Sequence, residues 1–116
     1  MSGWLQRLFR GRGIVIEGTR KLAEGRSRKI DVGDPLAGGR QVVLCRVEGK
    51  LHALDALCPH EGGRFVDGPL LEGKYVLCPL HNYKFDPRSG AAVGVVCPGA
   101  KRYAVTERDG DAELHV

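Results

Sequence analysis

Apolar residues along most of this chain recur with a period of two. Arg28 to Val32 alternates polar and apolar and stops at Gly33-Asp34-Pro35, the pattern of a half-buried strand running into a turn. Gln41 to Val47 is a denser apolar run, and Lys50 to Asp55 alternates again after the Glu48-Gly49 break, so the two read as a hairpin. Tyr75 to Leu77, Arg102 to Thr106 and Ala112 to Val116 supply further strands. The last two are joined across Arg108-Asp109-Gly110-Asp111, where Asp-Gly favours the positive φ angles of a type I′ turn. Short strands with closely spaced turn signals predict an all-β domain, an antiparallel sandwich or barrel. One segment departs from this period. Leu5, Leu8 and Phe9, with Trp4 alongside, are spaced as a short apolar helical stripe, which leaves either a frayed basic terminus or a small docking helix ended by Gly11 and Gly13.

A second departure runs from Ala56 to about Gly99. This stretch holds five of the six prolines, Pro59, Pro69, Pro79, Pro87 and Pro98, and reads as rigid loops held by something other than a hydrophobic core. Loops without their own core need a staple.

Size and charge narrow the picture. At 116 residues and 12.6 kDa the chain accommodates one domain, and no apolar run reaches the roughly 18 residues of a membrane-spanning helix. Residues 1–29 carry eight basic against two acidic groups, whereas the rest carries 10 basic and 12 acidic ones, so the basic character of the chain belongs to its N-terminal segment. A nucleic-acid reader should spread Lys and Arg over a face interleaved with aromatics, and no such pattern or reader motif is present. Gln6, Arg7 and Arg10 interrupt the apolar residues at the start, so no secretory h-region forms. The expectation is a cytoplasmic protein, in which four cysteines stay reduced and are metal ligands or core residues.

The candidate staple is Cys58-Pro59-His60 followed, with 17 residues between, by Cys78-Pro79-Leu80-His81. Two thiolates and two imidazoles converge if the intervening segment folds back. A mononuclear zinc site is one reading, but its usual spacing puts Cys with Cys and His with His. Here each motif mixes the two, which suits two equivalent loops that each offer a Cys to an inner metal and a His to an outer one.

The pair of motifs resembles the Rieske [2Fe–2S] pattern, C-x-H then C-x-x-H. The surroundings are similar too: Leu54-Asp55-Ala56-Leu57 before the first loop, Gly62-Gly63 after it, Gly68-Pro69-Leu70 in the connection, and Phe85-Asp86-Pro87-Arg88-Ser89-Gly90 after the second. The likeness covers about residues 20–116. It implies a β-sandwich base carrying an inserted cluster-binding subdomain, about 56–96, within a single domain spanning 1–116 and preceded by a basic extension, 1–13. By the same resemblance Cys58 and Cys78 bind the buried iron, and His60 and His81 bind the outer iron at the surface. Gly62, Gly63 and the residues after His81 would supply backbone N–H groups to the sulfides. Cys97-Pro98-Gly99 stands where a third, proline-containing loop covers the cluster.

The high-potential members of the family carry an extra Cys in each loop, joined as a disulfide, at the positions of Gly63 and Leu80. They also have Ser and Tyr hydroxyls where this chain has Tyr83 and Phe85. Donors aimed at sulfur stabilise the reduced cluster, so their loss points to the low end of the Rieske range of about −150 to +300 mV. The resemblance therefore implies a soluble one-electron carrier, not itself an enzyme, that takes electrons from a flavoprotein reductase and hands them to a terminal oxygenase. The alternative is the small subunit of an NAD(P)H-dependent nitrite reductase, toward which Asn82, Cys97-Pro98-Gly99 and Arg102-Tyr103 lean slightly. A Rieske oxygenase needs a further mononuclear iron on two His and a carboxylate, and only His52 and His115 remain. Those two read as surface or satisfied sheet histidines, and Cys45 and Cys97 as packing residues.

Overall fold

The computed structural model describes residues 6–9, 13–33, 40–59 and 63–116. Among the described residues eleven strands follow one another: β1 (Gln6–Phe9), β2 (Gly13–Ile16), β3 (Arg26–Val32), β4 (Arg40–Val47), β5 (Lys50–Asp55), β6 (Gly68–Pro69), β7 (Val76–Cys78), β8 (Tyr83–Phe85), β9 (Ala92–Val93), β10 (Arg102–Arg108) and β11 (Asp111–His115). Among the described residues the helical content is a 3-10 turn at Thr19–Lys21, and no helix is long and apolar enough to cross a membrane.

Every strand pairing is antiparallel, in the order β1-β2-β11-β10-β5-β4-β3-β6, with β7-β8-β9 as a separate sheet. β10 turns the long sheet back on itself. Its first residues, Arg102 and Tyr103, pair with β5, whereas Ala104 to Arg108 pair with β11. The two halves face each other as an antiparallel β-sandwich around Ile16, Ile30, Val42, Leu44, Ala53 and Leu114.

β4 has a second task. Successive side chains point to opposite faces, so Val42 and Leu44 enter the sandwich while Val43 and Cys45 enter another core on the far side. Buried on both faces, the strand reads as a near-continuous apolar run instead of an alternation. The far core also takes in Phe65, Leu70, Val76 and Phe85, so the proline-rich stretch does own a hydrophobic core, contrary to the sequence expectation. Phe65 and Phe85, both fully buried, meet edge to face with ring centroids 5.2 Å apart.

The N-terminal stripe is a further correction. The backbone of Gln6 to Phe9 is strand, not helix, paired from Gln6↔Ile16 to Phe9↔Gly13. An isolated helical turn fixes several dihedrals for one hydrogen bond, whereas the open edge of β2 offers a ready ladder. Trp4, Leu5, Arg10 and Gly11 lie outside the described residues.

Both tight hairpins use left-handed pairs, Glu48 (φ 56) with Gly49 (φ 76) and Asp109 (φ 55) with Gly110 (φ 85), as a type I′ turn requires. No atom stands within 4 Å of a Cβ added at Gly49, so Gly49→Ala isolates the backbone term. Urea unfolding should show it less stable by about 1–2 kcal/mol.

Candidate metal centre

Two hairpin loops rise from the far core. The first is closed by the Phe65 N–H donating to the Ala56 carbonyl at 2.9 Å, a bridge between Leu57 and Arg64, and the Cys58 N–H donating to Gly63 at 2.5 Å. This leaves residues 59–62 at the tip, of which His60, Glu61 and Gly62 lie outside the described residues. The second loop is closed by the Cys78↔Tyr83 pair of β7 and β8, leaving Pro79–Asn82, with Asn82 left-handed at φ 57. Each loop is thus four residues long, begins with proline, and is closed on its N-terminal side by a cysteine. The Val66 N–H donates to the Leu77 carbonyl at 3.0 Å and ties the two together.

Contact at the tips is close. A Cβ added at Gly63 falls 2.6 Å from the Cys78 Sγ and 3.2 Å from the Leu80 Cβ. Positions 63 and 80, which the resemblance pairs, do face one another, and the missing side chain at 63 leaves a cradle directly against a thiol.

The donors divide by depth. Cys58 and Cys78 are each 1% exposed and free of disulfides, whereas His81 is exposed. A buried thiolate is costly unless a cation or a metal compensates it. Two soft thiols below and an imidazole above match an iron–sulfur centre with mixed ligation. Among the described residues no three metal-capable side chains form a site on their own. Phe85 beneath is wholly buried and offers a ring instead of a hydroxyl, and Tyr83 sits with its ring centroid 6.1 Å from that of His81.

A third loop closes on this end. The Ala100 N–H donates to the Gly90 carbonyl at 2.7 Å, and position 90 requires glycine twice over, since its φ is 83 and a Cβ there would lie 2.6 Å from the Ala100 carbonyl. Cys97, in this loop, packs against the far core with its thiol 3.5 Å from the Pro98 carbonyl. Asp86 shapes the turn before it, accepting the Arg88 N–H and gripping the guanidinium with both oxygens. That hydrogen-bonded grip holds the Asp86 carboxyl below the usual carboxylate range.

The remaining candidates stand apart. Cys45 is fully buried, and burial pushes its thiol pKa far up, as an inert core residue requires. His52 lies opposite it on β5, its pKa lowered by burial and then by Arg102. His115, the last residue of β11, has its Nε2 3.6 Å from Glu113 two positions earlier on the strand. Sequence reasoning passed over one set, Arg40, Asp55 and Tyr103, which meet beside the first loop. An Asp two residues before Leu57 is an Asx-turn signal and the only clue the sequence carried.

Known proteins share this arrangement. Over 63 residues, 54% of this chain and 60% of the relative, it is 41% identical to the ferredoxin component of the naphthalene 1,2-dioxygenase/salicylate 5-hydroxylase systems of Ralstonia sp. The chain spans about three fifths of the length of curated relatives it matches. Among solved structures, the ferredoxin of carbazole 1,9a-dioxygenase from Nocardioides aromaticivorans IC177 superposes with a TM-score of 0.68 at 25% identity, covering 84% of this chain and 90% of that one. A putative NADH-dependent nitrite reductase small subunit from Mycobacterium tuberculosis shares the fold, with a TM-score of 0.61 at 20% identity over 98% of this chain and 95% of its own. The family model of the Rieske [2Fe-2S] domain matches residues 14–107, and the chain belongs to that family, with a Rieske-type [2Fe–2S] cluster as its cofactor.

Proposed function

We propose that this chain is a cytoplasmic one-electron carrier in which Cys58 and Cys78 hold the inner iron and His60 and His81 the outer one. When bound, the cluster takes up and releases a single electron without making or breaking a substrate bond. The observation that carries this reading is the convergence of the two loop bases, where the buried Cys58 and Cys78 each close a loop, Gly63 stands against the Cys78 Sγ, and His81 is exposed. The far core keeps water from the sulfur side, and the exposed imidazole edge is where a partner approaches. Phe85, with no hydroxyl to give, favours a low reduction potential. The cluster-binding subdomain spans about 56–96 of a single domain.

The donor is a flavoprotein reductase and the acceptor a terminal oxygenase. The 41% identity to a dioxygenase ferredoxin component supports this over the nitrite reductase small subunit, whose likeness at 20% identity is one of fold. Visible and electron-paramagnetic spectra of protein made with iron and sulfide test the reading. A brown protein with equal iron and acid-labile sulfide and the signal of a histidine-ligated centre supports it; bound zinc without either overturns it.

Leu80, 49% exposed at the second tip and beside His81, supplies a contact test. Leu80→Glu should leave both spectra unchanged and slow reduction by the reductase about tenfold, as when an interface side chain worth about 1.4 kcal/mol is lost. Stopped-flow absorbance measures that rate.

A further inference from the structure

Three strands of the sandwich converge on the first loop through one carboxylate. Asp55, the last residue of β5, accepts the Leu57 N–H on Oδ1 at 2.9 Å and so turns the chain toward Cys58. Its Oδ2 accepts the hydroxyl of Tyr103, on β10, at 2.7 Å. That hydroxyl in turn accepts Nη1 of Arg40, at the start of β4, at 3.2 Å, and the Arg40 guanidinium lies 5.9 Å from the Tyr103 ring centroid. Every donor in the series points toward Asp55. The pivot is itself anchored, because the Asp55 N–H donates to the Lys101 carbonyl at 2.8 Å and the Ala56 N–H to the Gln41 carbonyl at 2.9 Å. Burial, and then the bond to Asp55, raise the pKa of Tyr103, which keeps it a hydroxyl donor.

We propose that Asp55 is a positioning residue that tunes the reduction potential of the site: it fixes the Cys58 end of the first loop, and its charge, partly drawn off by Tyr103 and Arg40, opposes the added electron. This rests on the reading of Cys58 as a ligand. Asp55 stands three positions before Cys58, so their backbones are at most about 11 Å apart. At that range a carboxylate in a partly dry environment acts on an added negative charge. Donors bonded to the carboxylate weaken that action, and deleting a donor strengthens it.

The two side chains therefore predict shifts of opposite sign. Wild-type, Asp55→Asn and Tyr103→Phe proteins, each carrying the cluster, are titrated with redox mediators while the electron-paramagnetic signal reports the reduced fraction. At the wild-type midpoint, Asp55→Asn should be about threefold more reduced than oxidised, and Tyr103→Phe about twofold more oxidised than reduced. Two shifts of the same sign, or no shift in either, overturn the inference, since a purely structural role would alter cluster retention and leave the potential in place. If Asp55→Asn does not retain the cluster, Tyr103→Phe decides alone: a lower midpoint supports the inference, and an unchanged or higher one overturns it. Wild-type protein without iron and sulfide would instead sink the functional reading on which the inference stands.

Discussion

Cys78→Ser should purify colourless, without iron or acid-labile sulfide, and should lose amide-exchange protection around both loops by orders of magnitude. Cys78 closes the second loop through its pairing with Tyr83, and its Sγ lies where a Cβ at Gly63 would touch it, so it sits at the meeting point of the two loops. A serine hydroxyl is a hard, protonated donor at neutral pH and replaces a thiolate poorly toward iron. Ligand binding and loop order are linked, and on the proposed ligation losing Cys78 removes the free energy that binding adds to folding. The structure also says where the damage should stop. Phe65, Leu70, Val76 and Phe85 share the far core with Val43 and Cys45 of β4 and Leu54 of β5, a packing that needs no bound group, so exchange should quicken in residues 57–64 and 77–84 while β3, β4 and β5 stay protected. Hydrogen exchange read by mass spectrometry measures this. Native-like protection throughout, in protein that has lost its colour, would show that the loops do not depend on the bound group.

The elements that were legible in the sequence are those whose signals are local. Asp109-Gly110 and Glu48-Gly49 announce their hairpins because few other residues tolerate two consecutive positive φ angles. The mixed Cys-His motifs were legible because the chemistry is confined to three or four adjacent residues. The core of the proline-rich stretch was not. Phe65, Leu70, Val76 and Phe85 follow no period, since each comes from a different loop or a strand of two or three residues. β6 and β9, two residues each, are shorter than any alternation can register. The Asp55–Tyr103 contact crosses 48 positions and depends on β10 leaving one sheet for the other. At the N-terminus the apolar spacing is that of a helix, but one turn is too short to hold by itself, and the edge of β2 decides.

Glu107→Ala should destabilise the protein by about 3–5 kcal/mol, the cost of leaving a buried ion-pair partner uncompensated. Arg46, on β4, is a core-facing guanidinium whose side chain is 10% exposed. It holds the Glu107 carboxylate with both terminal nitrogens, and its Nε and Nη2 donate to the carbonyls of Leu22 at 3.1 Å and Thr19 at 3.0 Å. The Thr19 hydroxyl, on a fully buried residue, donates to Glu107 at 3.0 Å. The network thus locks β4, β10 and the 3-10 turn together. Removing the carboxylate leaves the guanidinium with two carbonyl dipoles and the weaker, unbonded attraction of the exposed Glu24. The Lys84–Glu72 pair, solvated on both sides, should by contrast be almost dispensable. Acidity separates this charge effect from simple packing. The hydrogen bonds from Arg46, more than any other cause, hold the Glu107 carboxyl below its ordinary range. A depressed folded-state pKa means that the unfolded chain takes up the proton first. The stabilisation is therefore complete above the unfolded value of about 4.3 and drains away as pH falls toward the folded one. Urea unfolding of wild-type and Glu107→Ala proteins between pH 7 and pH 3 should give a stability difference that is constant down to about pH 5 and narrows below it. A difference of equal size at every pH would assign the loss to the missing methylenes and not to the carboxylate.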